Sequence, residues 1–259
     1  MKIITWNVNS IRARISHVLD GIEKYSPDIL LLQETKIIDD LFPVDEFEKL
    51  GYEVAVYGQK AWNGVAIISK LKLNDIEKGM PKKPEHEEAR VISATVDYNG
   101  KKMRVVSVYV PQGQDLASDK YTYKLSWLED FRKYLIDADK KYDMVVAAGD
   151  YNIAPRDEDI YDPKKWGEKI AASPPERDAL RKIINENYTD AHLMFDQRPN
   201  SFSWWNYRHN AFAGNKGLRI DLALLSDKAK ENCIGCVPDD IPRGWEKPSD
   251  HGPVIVSFK

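Results

Sequence analysis

Val91-Ile92-Ser93-Ala94-Thr95-Val96-Asp97-Tyr98-Asn99-Gly100-Lys101-Lys102-Met103-Arg104-Val105-Val106-Ser107-Val108-Tyr109-Val110 is a pair of apolar, β-branched runs joined by Asn99-Gly100. Asn-Gly readily takes the positive φ values of a tight hairpin turn, so antiparallel strands are expected over 91–97 and 102–110. Similar short runs recur at 2–8, 28–33, 52–57, 65–69, 144–148, 219–225 and 253–258. Between some of them lie helical stripes. Ile11, Ile15, Val18, Leu19 and Ile22 share one face after Ser10, a residue type suited to an N-cap. Tyr121, Leu125, Leu128, Phe131 and Leu135 make a second stripe. Ser173-Pro174-Pro175-Glu176 reads as a capping box with proline at the first helical position, before Leu180, Ile183 and Ile184. Hairpins exclude a purely parallel sheet and the helices exclude an all-β chain. The expectation is an α/β protein of α+β type, with two mixed sheets and helices outside.

Nothing divides the 259 residues into compositional halves, and one domain over 1–259 is expected. The most charged stretch, 78–90, contains two prolines and is expected to loop outward. A net charge of −3 and a pI near 6.0 exclude a protein that coats nucleic acid. They leave room for a few basic residues on one face. The two cysteines, Cys233 and Cys236, exclude a disulfide scaffold and are too few for a structural zinc, so reduced thiols are expected. No run approaches the ~18 apolar residues of a membrane span. The first residues read as a strand rather than a secretory signal, which points to a reducing, cytoplasmic setting without a membrane.

The polar residues at the strand ends carry the chemistry. The first run ends at Asn7, the second at Gln33-Glu34, the 102–110 run at Tyr109 before Pro111-Gln112-Gly113, and the 144–148 run in Gly149-Asp150-Tyr151-Asn152. Ser249-Asp250-His251 precedes the last run, and Asp221 interrupts an apolar one. Each residue alone is an ordinary turn former or cap. An aspartate in an apolar strand, however, needs a partner, and His251 is one of only five histidines. Glu34 with Asp150 or Asp250 offers hard oxygen ligands suited to Mg²⁺. An Asp–His pair favours the charged imidazole. Metal, imidazole, amides and a tyrosine hydroxyl together suit a phosphate whose transition state gains negative charge. No Walker loop, dinucleotide-binding fingerprint or nucleophile elbow is present.

These residues sit in stretches that resemble the exonuclease III/AP endonuclease branch of the endonuclease–exonuclease–phosphatase superfamily. The stretches are Trp6-Asn7-Val8-Asn9-Ser10-Ile11-Arg12, Pro27-Asp28-Ile29-Leu30-Leu31-Leu32-Gln33-Glu34-Thr35-Lys36, Asn63-Gly64-Val65-Ala66 and Tyr109-Val110-Pro111-Gln112-Gly113. They continue with Gly149-Asp150-Tyr151-Asn152-Ile153-Ala154-Pro155, Phe202-Ser203-Trp204-Trp205-Asn206-Tyr207-Arg208, Gly217-Leu218-Arg219-Ile220-Asp221-Leu222 and Glu246-Lys247-Pro248-Ser249-Asp250-His251. They run in family order from residue 3 to the end.

The resemblance implies a four-layered α/β/β/α sandwich of the DNase I-like type, with two mixed, mostly antiparallel sheets. It implies Mg²⁺-dependent hydrolysis of DNA phosphodiesters, with Mn²⁺ able to substitute. The expected substrate is double-stranded DNA, incised 5′ to abasic sites or trimmed from 3′ ends in base excision repair, by a monomer needing no protein partner. By resemblance Glu34 and Asn7 hold the metal, with Asp250, Asp150, Asn152 and His251 contributing to its set. Asp150 orients or deprotonates the attacking water, Asn152 helps place it, and His251, held by Asp221, meets a phosphate oxygen. Tyr109 is a phosphate contact or general acid. Asn9, Arg12, Lys36, Gln112 and Arg208 are expected at DNA, and Arg90 and Lys216 near the rim. Trp204, Leu218 and Ile220 would line a pocket for a sugar without its base, which is cheap to extrude. Two positions depart from the family pattern. Ser10 stands where glycine is usual, and is expected still to cap the helix. Leu218 stands where many abasic endonucleases have tryptophan, which leaves the balance of incision and trimming open. The alternatives are a phosphoesterase for non-DNA substrates and a non-catalytic nucleic-acid-binding module.

Overall fold

Asn99 and Gly100 both take positive φ, 53° and 76°, and the hairpin closes with Tyr98 paired to Lys101. A computed structural model describes residues 1–81, 88–195 and 198–259. Its strands are β1 Lys2–Asn7, β2 Ile29–Gln33, β3 Glu53–Tyr57, β4 Val65–Ser69, β5 Asn74–Lys78, β6 Val91–Tyr98, β7 Lys101–Tyr109, β8 Met144–Asp150, β9 Tyr188–Asp190, β10 Trp204–Trp205, β11 Gly217–Leu218, β12 Asp221–Ser226, β13 Cys233–Pro238 and β14 Val254–Phe258. Its α-helices are α1 Ile11–Tyr25, α2 Val44–Glu48, α3 Asp119–Lys141, α4 Pro163–Trp166, α5 Pro174–Ile184 and α6 Asp227–Lys230. One sheet has the order β13-β14-β1-β2-β4-β3, the other β5-β6-β7-β8-β12-β9. Among the described residues only β1–β2 and β7–β8 are parallel pairs, spanned by α1 and α3 respectively.

The central strands are apolar on both faces because both faces are covered. In β2, Ile29 and Leu31 point between the sheets, toward Val105 and Val146, while Leu30 and Leu32 pack with Ile11, Val18 and Ile22 of α1. In β8, Val146 and Ala148 face the inter-sheet core, and Val145 and Ala147 lie beneath Leu128, Phe131 and Leu135 of α3. Leu180 and Ile183 of α5 join that outer layer. The result is the expected four-layered sandwich. Burial of each large aliphatic side chain stabilises it by about 1.5–3 kcal/mol.

Several expectations need correction. Ser10 does not cap α1 with its side chain. Carbonyls from the neighbouring loop replace it: Glu34 O accepts from Ser10 N–H at 2.7 Å and Thr35 O from Ile11 N–H at 3.1 Å. The 78–90 stretch is not simply a loop, because Lys78 ends β5; residues 82–87 lie outside the described residues. The charged sequence of β5 gives no strand pattern. It is held by buried Arg104, which donates to Asp75 O at 2.6 Å and pairs with Glu77 at 2.7 Å. Strands β9 and β13 were also not anticipated, and the latter carries both free, buried cysteines. The capping box at Ser173 forms, with Ser173 N–H donating to Glu176 Oε2 at 3.1 Å.

Candidate functional site

Parallel pairing sends the C-terminal ends of β1 and β2, and of β7 and β8, to one edge of the sandwich. Asn7 pairs with Gln33, and Tyr109 with Asp150. β12 runs antiparallel to β8, so its first residue, Asp221, lies beside Asp150. His251 reaches the same edge from the segment before β14, bridged to Trp204. Gln33 Nε2 donates to Thr5 Oγ1 and to Ser107 Oγ, both at 3.0 Å, and so ties the two sheets together beneath the site. The Glu34–Lys36 loop is held from the side. Thr35 and Lys36 N–H donate to Gly64 O and Asn63 O at 3.1 and 2.9 Å. Gly64 has φ +92°, and a Cβ there would lie 2.2 Å from Thr35 Oγ1, so the close approach needs glycine.

A row of charged groups crosses this edge. His251 Nδ1 is 2.8 Å from Asp221 Oδ2, and its Nε2 is 3.7 Å from Asp150 Oδ2. Ser203 Oγ donates to Asp221 Oδ2 at 2.6 Å and accepts from Asp221 N–H at 3.0 Å, which orients that carboxylate. Asn7 Nδ2 donates to Glu34 Oε1 and to Asp150 Oδ2, both at 2.9 Å. Asp150 Oδ1 accepts from Asn152 N–H at 2.8 Å. Burial alone would lower the His251 pKa, but Asp221 and Asp150 outweigh it and raise it to about 10, so the ring is an imidazolium at neutral pH. Burial raises the Asp150 carboxyl above the ordinary range; Asp221 and Glu34 push the same way, against His251. Desolvation, then the charges of Glu34 and Asp150, hold the Tyr109 phenol well above its usual value, so it remains a donor. Arg90 lies over the Tyr109 ring, 4.9 Å from its centroid.

The charged row borders a cavity of about 220 Å³. Trp204, Leu218 and Ile220 line it as expected, and β10 and β11 place Trp204 opposite Leu218. Trp166, Ile170 and Ala171 complete the apolar wall. Sequence reasoning missed these three, since no pattern marks them. It also missed Ser203, a residue type too common to stand out.

The structure brings Tyr109, Asp150, Asn152, Asp250, His251, Glu34 and Gln112 to this cavity. Asn9 stands just behind. Its Nδ2 donates to Asp250 Oδ1 at 3.0 Å and its Oδ1 accepts from Lys36 Nζ at 2.5 Å. Lys36 also pairs with Glu34 at 2.8 Å. Arg12 on the first turn of α1, Arg208 in the turn after β10, and Lys216 are exposed and do not join the cluster. Arg14 was not singled out in sequence, yet it donates to Pro248 O at 3.1 Å and to Tyr207 Oη at 3.2 Å, bracing the segment that carries Asp250.

Three members of the expected metal set converge most closely. Ligand atoms of Glu34, Asp150 and His251 lie within 4.8 Å of one another. Glu34 and Asp150 supply the hard oxygen donors of this group, and the His251 Nε2 lies 3.7 Å from Asp150 Oδ2. Asn7 turns its NH₂ to the carboxylates, while its oxygen accepts from Asn9 N–H at 3.0 Å. Asn152 likewise presents its NH₂, donating to Val110 O at 3.0 Å. The Asp250 oxygens accept from Asn9 Nδ2 and from Trp204 Nε1, both at 3.0 Å, just as those of Glu34 and Asp150 accept from their neighbours. Two adjacent carboxylates fit a hard divalent cation that keeps several waters.

Residues 4–251 match the profile of the Endonuclease/Exonuclease/phosphatase family. The chain is 36% identical over 268 residues to exodeoxyribonuclease III of Haemophilus influenzae, spanning 100% of both proteins. Among solved structures it resembles the 3′ phosphatase NExo from Neisseria bound to a product DNA hairpin, at 37% identity and a TM-score of 0.95, covering 100% of this chain and 99% of that one. It also resembles an AP endonuclease from Archaeoglobus fulgidus, at 36% identity and a TM-score of 0.93, with 100% and 99% covered. The full-length matches and the shared sandwich make this chain a member of the Endonuclease/Exonuclease/phosphatase family.

Proposed function

We propose that this protein is a Mg²⁺-dependent DNA repair nuclease. It hydrolyses phosphodiesters of double-stranded DNA, 5′ to abasic sites and at 3′ ends, and the whole of 1–259 acts as one unit. The observation that carries this reading is His251 held between Asp221 and Asp150 at the mouth of an apolar cavity. The names of the relatives support DNA as the substrate.

Each group has a task set by its surroundings. Trp204, Leu218 and Ile220 take up a sugar that lacks its base, which brings the adjacent phosphate to the charged row. Asp150, a stronger base than an ordinary carboxylate, accepts the proton of the attacking water. The Asn152 N–H and NH₂ fix the carboxylate's direction. The His251 imidazolium donates to a non-bridging phosphate oxygen, where charge builds in the transition state, while Asp221 and Ser203 fix the ring. Tyr109 keeps its proton and donates to the phosphate or to the leaving oxygen. A Mg²⁺ ion held by Glu34 and Asp150, or Mn²⁺ in its place, would supply charge neutralisation at the phosphate. No helix among the described residues is long and apolar enough to cross a membrane.

The test is incubation with Mg²⁺ and duplex DNA carrying one abasic analogue, a recessed 3′ end, or neither. Incision or trimming that EDTA stops is expected. Intact DNA in every tube would overturn the reading, and hydrolysis of a small phosphoester instead would favour a non-DNA phosphoesterase.

A further inference from the structure

We propose that the buried ion pair Lys124–Glu176 is a positioning clamp for the nuclease site, holding Asn152 and the cavity wall at Ala171 in their working geometry. The proposal deepens the nuclease reading and rests on it.

Lys124 lies on α3, one turn after Tyr121, and its side chain is fully buried, as is that of Glu176. Two buried charges are costly unless every donor and acceptor is used. Here they are used, and on the loops that form the site. Lys124 Nζ donates to Glu176 Oε1 at 2.5 Å, to Asn152 O at 2.8 Å and to Gln112 O at 3.4 Å. Glu176 Oε1 also accepts from Ala171 N–H at 3.1 Å. Glu176 Oε2 accepts from Ser173 N–H and from Ser173 Oγ, at 3.1 and 2.6 Å. Three loops that line the cavity thus converge on one buried pair.

Both attachment points have positive φ, +51° at Asn152 and +70° at Ala171; asparagine takes that conformation readily, whereas alanine holds it only when its surroundings impose it. The loops are also joined directly, by Ala154 N–H donating to Ala171 O at 2.7 Å. The clamp therefore acts on both halves of the site. Through Asn152 it sets the direction of the Asp150 carboxylate, and through Ala171 it sets the wall of the sugar pocket. Neither charged group reaches the cavity, so neither is a catalytic residue. A displacement of about 1 Å at Asn152 is enough to cost up to about 10²-fold in rate.

Three variants of the full chain separate positioning from plain stability. Lys124→Met strands the Glu176 charge. The double variant Lys124→Met/Glu176→Leu removes both charges; it also leaves the Ala171 and Ser173 N–H groups without their acceptor, so it is expected to fold but to melt below the wild type. Glu176→Gln keeps an oxygen for Lys124 and Ala171, and stands in if the double variant does not fold. Steady-state kinetics on abasic and recessed-3′ duplexes, with Mg²⁺, should give kcat lowered about 10- to 100-fold in the double variant and about 3- to 10-fold in Glu176→Gln, with KM changed less than about 3-fold. Amide hydrogen exchange should show lost protection at Ala154, whose bond to Ala171 O neither substitution deletes, in the single Lys124→Met and double variants, with the β8 amides unchanged. If the folded double variant keeps the wild-type kcat, or if the Ala154 amide stays protected in it, the proposal is overturned. A wild-type protein inactive on every DNA substrate would instead defeat the nuclease reading, and the exchange data alone would then decide the clamp.

Discussion

Ser10 has φ +91° and ψ +109°, a region that glycine enters freely and other residues do not. Its side chain caps nothing, and its N–H is bound to Glu34 O, a bond that glycine would keep. We predict that Ser10→Gly stabilises the protein. Backbone strain of this kind costs about 1–3 kcal/mol. Glycine gives back about 0.5–1 kcal/mol through the greater freedom of the unfolded chain. The net gain is about 1 kcal/mol, which for a chain of this size raises Tm by about 2–4 °C. Ser10→Ala is the control: it keeps the Cβ and the strain, removes only the hydroxyl, and should leave stability within about 0.5 kcal/mol. Urea unfolding followed by fluorescence, read as a shift in midpoint at constant slope, measures both variants. A loss of stability in Ser10→Gly, or an equal gain in Ser10→Ala, would refute the strain argument.

Other expected outcomes follow from the charged row. Asp150→Asn and His251→Ala should each lower turnover on an abasic duplex by at least about 10²-fold while circular dichroism stays native; near-wild-type rates in either would remove the roles assigned to them. The raised pKa of His251 has a signed consequence for metal-free stability. Its contribution is complete below the ordinary value of 6.5 and is lost as the pH climbs through about 10, at up to about 1.4 kcal/mol per pH unit. Unfolding free energies of the wild type and His251→Gln between pH 6.5 and 10 should therefore converge with rising pH, and parallel curves would contradict the buried imidazolium. Arg12 and Arg208 are exposed, so removing both should reduce the salt dependence of abasic-duplex binding by a slope of about 2, read by fluorescence anisotropy on Asp150→Asn; an unchanged slope would take both off the DNA path.

What was legible in sequence followed from local rules. The Asn99-Gly100 hairpin, the proline-led capping box at Ser173 and the apolar strands bounded by carboxylates and amides all depend on a few adjacent residues. Failures came where a distant partner overrides the local signal. β5 is polar and mostly exposed, and it is a strand because Arg104 reaches across to hold it. The capping role read for Ser10 was taken by carbonyls of the Glu34–Thr35 loop. In α3 the apolar stripe predicts the buried face, yet a lysine lies on that face, stabilised by Glu176 some 50 residues away in sequence. Asn7 and Asp250 were identified as site residues, but which of their atoms remain free depends on Asn9 and Trp204.

The sequence by itself determined the sandwich, the edge where function gathers and the kinds of group present there, because hydrophobic period and strand-end chemistry are local properties. Only the tertiary structure decided which carboxylates lie close enough to share a cation, why His251 is charged, and which side chains wall the cavity. Those properties depend on distances of 3–4 Å between segments as far apart as Asn7 and His251, and on burial that amplifies every charge within them.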